Sequence, residues 1–227
     1  MASVRWSLRV GSVLLGVVAG GVLGLCAQGP DLHKIAETVD SHYNRLNTLQ
    51  AEFTEIFRGG GLTRNETGVM YLKKPGKMRW DYTSPQKKLF VTDGKTAWFY
   101  SPGERQARRT TIKNLDDFRS PLRYLLGKTK LEKEFHGLSL VTADQPSVPG
   151  GVILRGVPKG MGDRVQESRL EVAPDGAIVR ISLEELDGTY TEFRFSNQKG
   201  NVSLPEKLFK FSPPMGVEVM ESKDLEP

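Results

Sequence analysis

At 227 residues and a formal charge of +5, the chain has the length of one domain and too little concentrated charge for a phosphate-backbone partner. With 38% hydrophobic and 26% charged residues the composition is that of an ordinary globular chain, and no repeat, low-complexity tract or linker divides it. Its single cysteine excludes an internal disulfide framework, so stability has to come from burial.

Residues 1–27 read as an export signal. Arg5 and Arg9 precede an uncharged run from Val10 to Leu25, and Ala27 offers a small residue for cleavage. The run is a little short for a membrane span and carries five glycines, although an uncleaved anchor is the alternative. Leu23-Gly-Leu-Cys26 superficially resembles a lipoprotein processing site, with Leu25 where a small residue belongs. Cleavage after Ala27 lowers the formal charge from +5 to +3 and removes the cysteine. Residues 28–227 are then one domain, long enough to bury most of its apolar surface.

From Asp31 the spacing of Leu32, Ile35, Val39, Tyr43 and Leu46 predicts a helix with Asp31 as its N-cap. The period then drops to two: in Gln50 to Phe57, Ala51, Phe53 and Phe57 point one way and Glu52, Thr54 and Ile56 the other. After Gly59-Gly-Gly61 come four short runs rich in β-branched and aromatic residues, 67–72, 77–82, 87–92 and 96–100. Met70 and Leu72 share one face, as do Met78, Trp80 and Tyr82, with Lys77, Arg79 and Asp81 opposite. Asp93-Gly94 is read as a type I′ hairpin turn. The face serves either as a packing surface or as a wall facing a ligand.

A strand is expected over Gln106–Ile112. Ser120-Pro121 then starts a helical piece whose apolar face includes Leu122, Leu125 and Leu126. Strands return at 138–142, 152–157, 165–172, 177–183 and 190–195, with Asp175-Gly176 and Asp187-Gly188 as further turns. The total of about eleven strands with a few helical pieces fits a mainly β, α+β chain: a curved antiparallel sheet or open barrel.

Catalytic constellations are missing. Three histidines without ligand spacing leave no metal site, and no nucleophile elbow, phosphate loop or dinucleotide fingerprint occurs, so no cofactor is expected. Glu184-Glu185 are neighbours on a strand and face opposite ways, a poor acid–base pair. The basic runs Lys73-Lys74, Lys87-Lys88 and Arg108-Arg109 read as a solvated face rather than a nucleic-acid site.

Several stretches together resemble the periplasmic outer-membrane lipoprotein carrier family (LolA). They are Leu46-x-x-Leu-x-Ala-x-Phe53-Thr, Lys74-Pro-Gly-x-Met-Arg-Trp-Asp-Tyr82, Val91-Thr-Asp-Gly-Lys-Thr-Ala-Trp-Phe-Tyr-Ser-Pro102 and Phe209-x-Phe211-x-Pro-Pro-x-Gly-Val217. The resemblance implies an incomplete antiparallel barrel with a helical lid over an apolar cavity. It implies a monomeric carrier that takes lipoproteins from an inner-membrane ABC-type release complex, shields their acyl chains and passes them to an outer-membrane receptor. Phe53, Met70, Leu72, Met78, Trp80, Phe90, Trp98 and Phe193 would line the cavity, and Leu122, Leu125 and Leu126 would belong to the lid. The family commonly has arginine before the proline of this turn, tying the closed lid; here the clasp would be Lys74. Alternatives in the same fold are a carrier of another lipid, an envelope-stress sensor, or a receptor anchored through Cys26.

Overall fold

A computed structural model describes residues 30–112 and 130–222. Residues 1–27, read above as an export signal, with Cys26, and Leu122, Leu125 and Leu126, lie outside the described residues.

The chain opens with α1 (Leu32–Asn44), capped by Asp31, whose carboxylate accepts the His33 N–H at 2.9 Å. Its buried face is Ala36, Val39 and Tyr43, at helical spacings of three and four. Six strands follow: β1 (Thr48–Gly59), β2 (Leu62–Lys73), β3 (Lys77–Ser84), β4 (Lys88–Thr92), β5 (Thr96–Tyr100) and β6 (Gln106–Thr111). After the one-turn α2 (Leu131–Glu134) come β7 (Phe135–Val141), β8 (Val152–Pro158), β9 (Val165–Val172), β10 (Ile178–Glu185) and β11 (Tyr190–Gly200). A 3-10 turn at Glu206–Phe209 and β12 (Glu218–Glu221) complete the described chain.

Among the described residues these twelve strands form one sheet in the order β12-β6-β5-β4-β3-β2-β1-β11-β10-β9-β8-β7. All neighbours are antiparallel except β12, which runs parallel to β6. The sheet keeps two free ends, β12 and β7, and is not closed into a barrel. It is nevertheless curled. β3 and β11 are three strands apart, a distance of about 14 Å in a flat sheet. Yet the ring of Trp80 on β3 meets that of Phe193 on β11 with centroids 5.5 Å apart. The curl brings both halves of the sheet, and the apolar face of α1, into one buried cluster.

The three Asp-Gly pairs do turn hairpins, but not as two-residue type I′ loops. Only the glycine of each pair has positive φ: +98° at Gly94, +87° at Gly176 and +84° at Gly188. At Asp187 the Gly188 N–H donates to Glu185 O at 3.0 Å and the Glu185 N–H to Thr189 O at 2.8 Å. This is a type I turn followed by a left-handed glycine, the usual longer hairpin loop. Each aspartate contributes through its side chain instead. Asp93 accepts Lys95 N–H, Asp175 accepts Ala177 N–H and Asp187 accepts Thr189 N–H, at 2.8, 3.0 and 2.8 Å.

Candidate functional site

The inner face of the sheet is the surface on which the curl concentrates large side chains. Strand periodicity selects Leu49, Ala51 and Phe53 from β1, Leu72 and Met70 from β2, and Met78, Trp80 and Tyr82 from β3. Register aligns them in cross-strand rows: Leu72 beside Met78, and Met70 beside Trp80 beside Phe90 beside Phe99. From the other half come Phe193 and Phe195 on β11 and Ile181 and Leu183 on β10.

The rings interlock edge to face. Phe53 stands 4.6 Å from Trp80 and 4.9 Å from Tyr82, and Trp80 stands 6.3 Å from Phe195. Gly68, opposite Tyr82, makes room for this: a Cβ there would lie 2.8 Å from the Phe53 ring and 2.1 Å from Asp81 O.

The structure thus brings together Phe53, Met70, Leu72, Met78, Trp80, Phe90 and Phe193, all buried in one cluster. Trp98 does not join them. On β5 the buried inner positions are Ala97 and Phe99, and Trp98 stands between them on the outer face. There its ring packs 5.5 Å from Phe211 and under the Arg109 guanidinium at 5.3 Å. Thr96 to Tyr100 carries no apolar–polar alternation, so only pairing with β4 decides which parity faces inward.

Lys74 sits at the β2–β3 turn and reaches α1. Its Nζ donates to Tyr43 O at 2.9 Å and to Asn44 O at 3.3 Å at the helix C-terminus, where Tyr43 O also accepts the Leu46 N–H at 3.1 Å. Tyr43 is tied from its other end as well, because its buried hydroxyl accepts the Ile178 N–H at 2.9 Å. Burial raises the phenol's pKa above its ordinary value, partly offset by that N–H. A third tie runs from the Leu131 N–H of α2 to Asp40 Oδ1 at 2.9 Å. Burial raises the Asp40 pKa, and the Leu131 N–H opposes the shift.

Beyond Tyr82 the inner face changes character. Tyr82 donates its hydroxyl to Glu55 at 2.6 Å, and Lys88 pairs with Glu66 at 2.6 Å while lying 5.5 Å from the Tyr82 ring centroid. Glu55 and Glu66 are both buried. These ionic residues were not anticipated. The available signal was parity: Glu55 shares the face of Phe53, and Glu66 that of Met70 by way of Gly68. Past them opens a cleft of about 510 Å³ between the β1–β2 and β10–β11 hairpin ends, lined by Phe57, Leu62, Arg64, Glu185 and Thr191 among others.

The outer face is polar. Arg79 chelates Asp81 and donates to Leu208 O at 3.0 Å, while Lys73 and Lys77 both grip Glu206. Those two ammonium groups hold the Glu206 carboxyl at a pKa of about 2. Among the described residues no group of three His, Cys, Asp or Glu side chains is placed to hold a metal ion.

Residues 44–212 match the family model described as outer membrane lipoprotein carrier protein LolA. The chain is 33% identical over 187 residues to an outer-membrane lipoprotein carrier protein of Methylococcus capsulatus, covering 81% of this chain and 86% of that one. It is 30% identical over 188 residues to the protein of the same name from Nitrosospira multiformis, with the same coverage. Among solved structures it is similar in fold to an uncharacterized conserved protein from Thermus thermophilus, with a TM-score of 0.53 at 14% identity over 83% of this chain and 98% of that one. The family match spans the aromatic inner face and the Lys74 turn together, and the chain belongs to the outer membrane lipoprotein carrier protein LolA family.

Proposed function

We propose that this protein is a periplasmic lipoprotein carrier, not a catalyst, which holds the acyl chains of its cargo against the inner face of the sheet. The observation that carries the reading is the composition of that face: Phe53, Met70, Leu72, Met78, Trp80, Phe90 and Phe193 in one apolar cluster beneath a helix fastened at its end by Lys74. Leaving a methylene in water costs about 0.8 kcal/mol, so three acyl chains cost roughly 30–40 kcal/mol without a shield. Methionines at 70 and 78 give the wall side chains soft enough to accept chains of no fixed shape.

In this reading residues 1–27 direct export, and Leu122, Leu125 and Leu126 extend the cover over the chains. Cargo arrives from an inner-membrane ABC-type release complex and leaves to an outer-membrane receptor. The relatives' shared name supports the cargo class.

The test is to purify the protein from the periplasm of its host and identify what travels with it by native mass spectrometry. Acylated lipoproteins bound one per chain are expected, together with rescue of lipoprotein localisation in a carrier-depleted cell. Recovery of free phospholipid or glycolipid alone, without rescue, overturns the reading.

A further inference from the structure

The indole of Trp80 is a donor on the inner face that its surroundings do not use. Trp80 is 2% exposed, and among the described residues no acceptor lies within hydrogen-bond reach of its indole Nε1. The ring is bracketed by Phe53, Phe193 and Phe195, and its cross-strand neighbours are Met70 and Phe90. Every one of those side chains ends in carbon or sulfur, so none supplies a good acceptor. Buried tryptophan N–H groups are normally paired, and a phenylalanine would fill an apolar wall without stranding a donor. The hydroxyls of Thr110 and Ser168 are also unpartnered, but a hydroxyl rotates to suit its surroundings. The indole N–H cannot turn without its ring, and the surrounding aromatics hold that ring.

We propose that the Trp80 N–H recognises the carbonyl of an acyl linkage. On the reading that the inner face takes acyl chains, it donates a hydrogen bond to the ester carbonyl joining a fatty chain to its glyceryl group. The consequence is chemical selectivity. Hydrocarbon alone satisfies the methionines and phenylalanines, whereas an acylated cargo also satisfies Trp80. An ether-linked lipid of equal chain length keeps the hydrocarbon and loses the carbonyl. The inner face then distinguishes acyl from alkyl.

The probes are an S-(dipalmitoyloxypropyl)cysteine peptide, which carries two ester carbonyls, and its dihexadecyl ether analogue. Binding of each to the purified protein is measured by calorimetry, and the indole N–H resonances are followed by nitrogen-15 NMR. The ester probe is expected to bind about tenfold more tightly than the ether, the gain from one buried hydrogen bond. It should also move the Trp80 indole proton downfield, which the ether should not do. In Trp80→Phe the ring remains, and both probes should bind with the affinity the ether shows for the wild type.

Equal affinities for the two probes in the wild-type protein, with an unmoved Trp80 resonance, overturn this assignment while leaving the carrier reading intact. Failure of both probes to bind overturns the carrier reading, and this assignment with it. The comparison of probes on the wild-type protein stands even if Trp80→Phe does not fold.

Discussion

The Lys74 ammonium lies 2.9 Å from the carbonyl oxygen of Tyr43, across 31 residues of sequence, and so fastens the last turn of α1 to the β2–β3 turn. A cation at a helix C-terminus is favoured by the second lone pairs of the terminal carbonyls and by the helix dipole together. Lysine meets them as a point charge, without the planar fork of an arginine. Lys74→Ala is expected to lower stability by about 1–2 kcal/mol and to raise amide exchange across residues 36–44 while the β1 and β2 amides keep their protection. Lys74→Arg should retain most of the protection. Uniform loss of protection over the whole sheet would show that Lys74 supports the sheet rather than the helix.

Tyr43 joins the same helix to β10 through a hydroxyl that accepts the Ile178 N–H at 2.9 Å. The residue is 2% exposed, so no water replaces the lost acceptor. Tyr43→Phe should cost about 1–3 kcal/mol in urea unfolding, the penalty for a buried unpaired N–H. An unchanged midpoint would mean that Ile178 finds another acceptor.

Lys88 and Glu66 form an ion pair with side chains only 10% and 5% exposed. Removing one partner leaves a charge in an interior that cannot solvate it, which typically costs about 3–5 kcal/mol. Lys88→Met should therefore be severely destabilising. The double variant Glu66→Met with Lys88→Met should return to within about 1 kcal/mol of the wild type, since hydrophobic replacement of a buried pair is often neutral. A double variant no better than the single one would show that the pair's geometry, and not its charge balance, holds this end of the sheet.

Glu206 anchors the 3-10 turn to the β2–β3 turn, and Lys73 and then Lys77 depress its pKa from 4.5 to about 2. A carboxyl whose pKa falls on folding adds stability that is complete above its unfolded pKa and disappears as pH falls through the folded value. The contribution should therefore be whole above pH 4.5 and fade between about 4.5 and 2. Comparing unfolding of the wild type with Glu206→Gln across that range checks the sign: the difference should shrink as pH falls. A difference that stays constant from pH 6 to pH 2 would assign the effect to packing.

Strand positions were legible where a strand has one face more exposed than the other, as in β2 and β3. Met70, Leu72, Met78 and Trp80 alternate with Tyr71, Lys77 and Arg79, and that alternation names the inner residues before any partner strand is known. Where it lapses, so does the reading. In Thr96 to Tyr100 four consecutive apolar or aromatic residues hide the parity, and Trp98 was placed inward although it packs outside on Phe211. The hairpins were located by their Asp-Gly pairs, but their geometry was not, because a left-handed glycine serves both a two-residue loop and a longer one.

The sequence by itself determined the α1 stripe, the places of most strands along the chain and the apolar character of one face, because periodicities of 3.6 and 2 are properties of local backbone geometry. It also carried the family, through the residues around Lys74 and Trp80. Only the tertiary structure decided that Lys74 grips α1, that Glu66 meets Lys88, and that Trp80 lies among rings contributed from three strands away. Those partners stand far apart in the chain. Their meeting depends on how strongly twelve strands curl, a quantity set by the packing of the whole inner face and by no single segment of it.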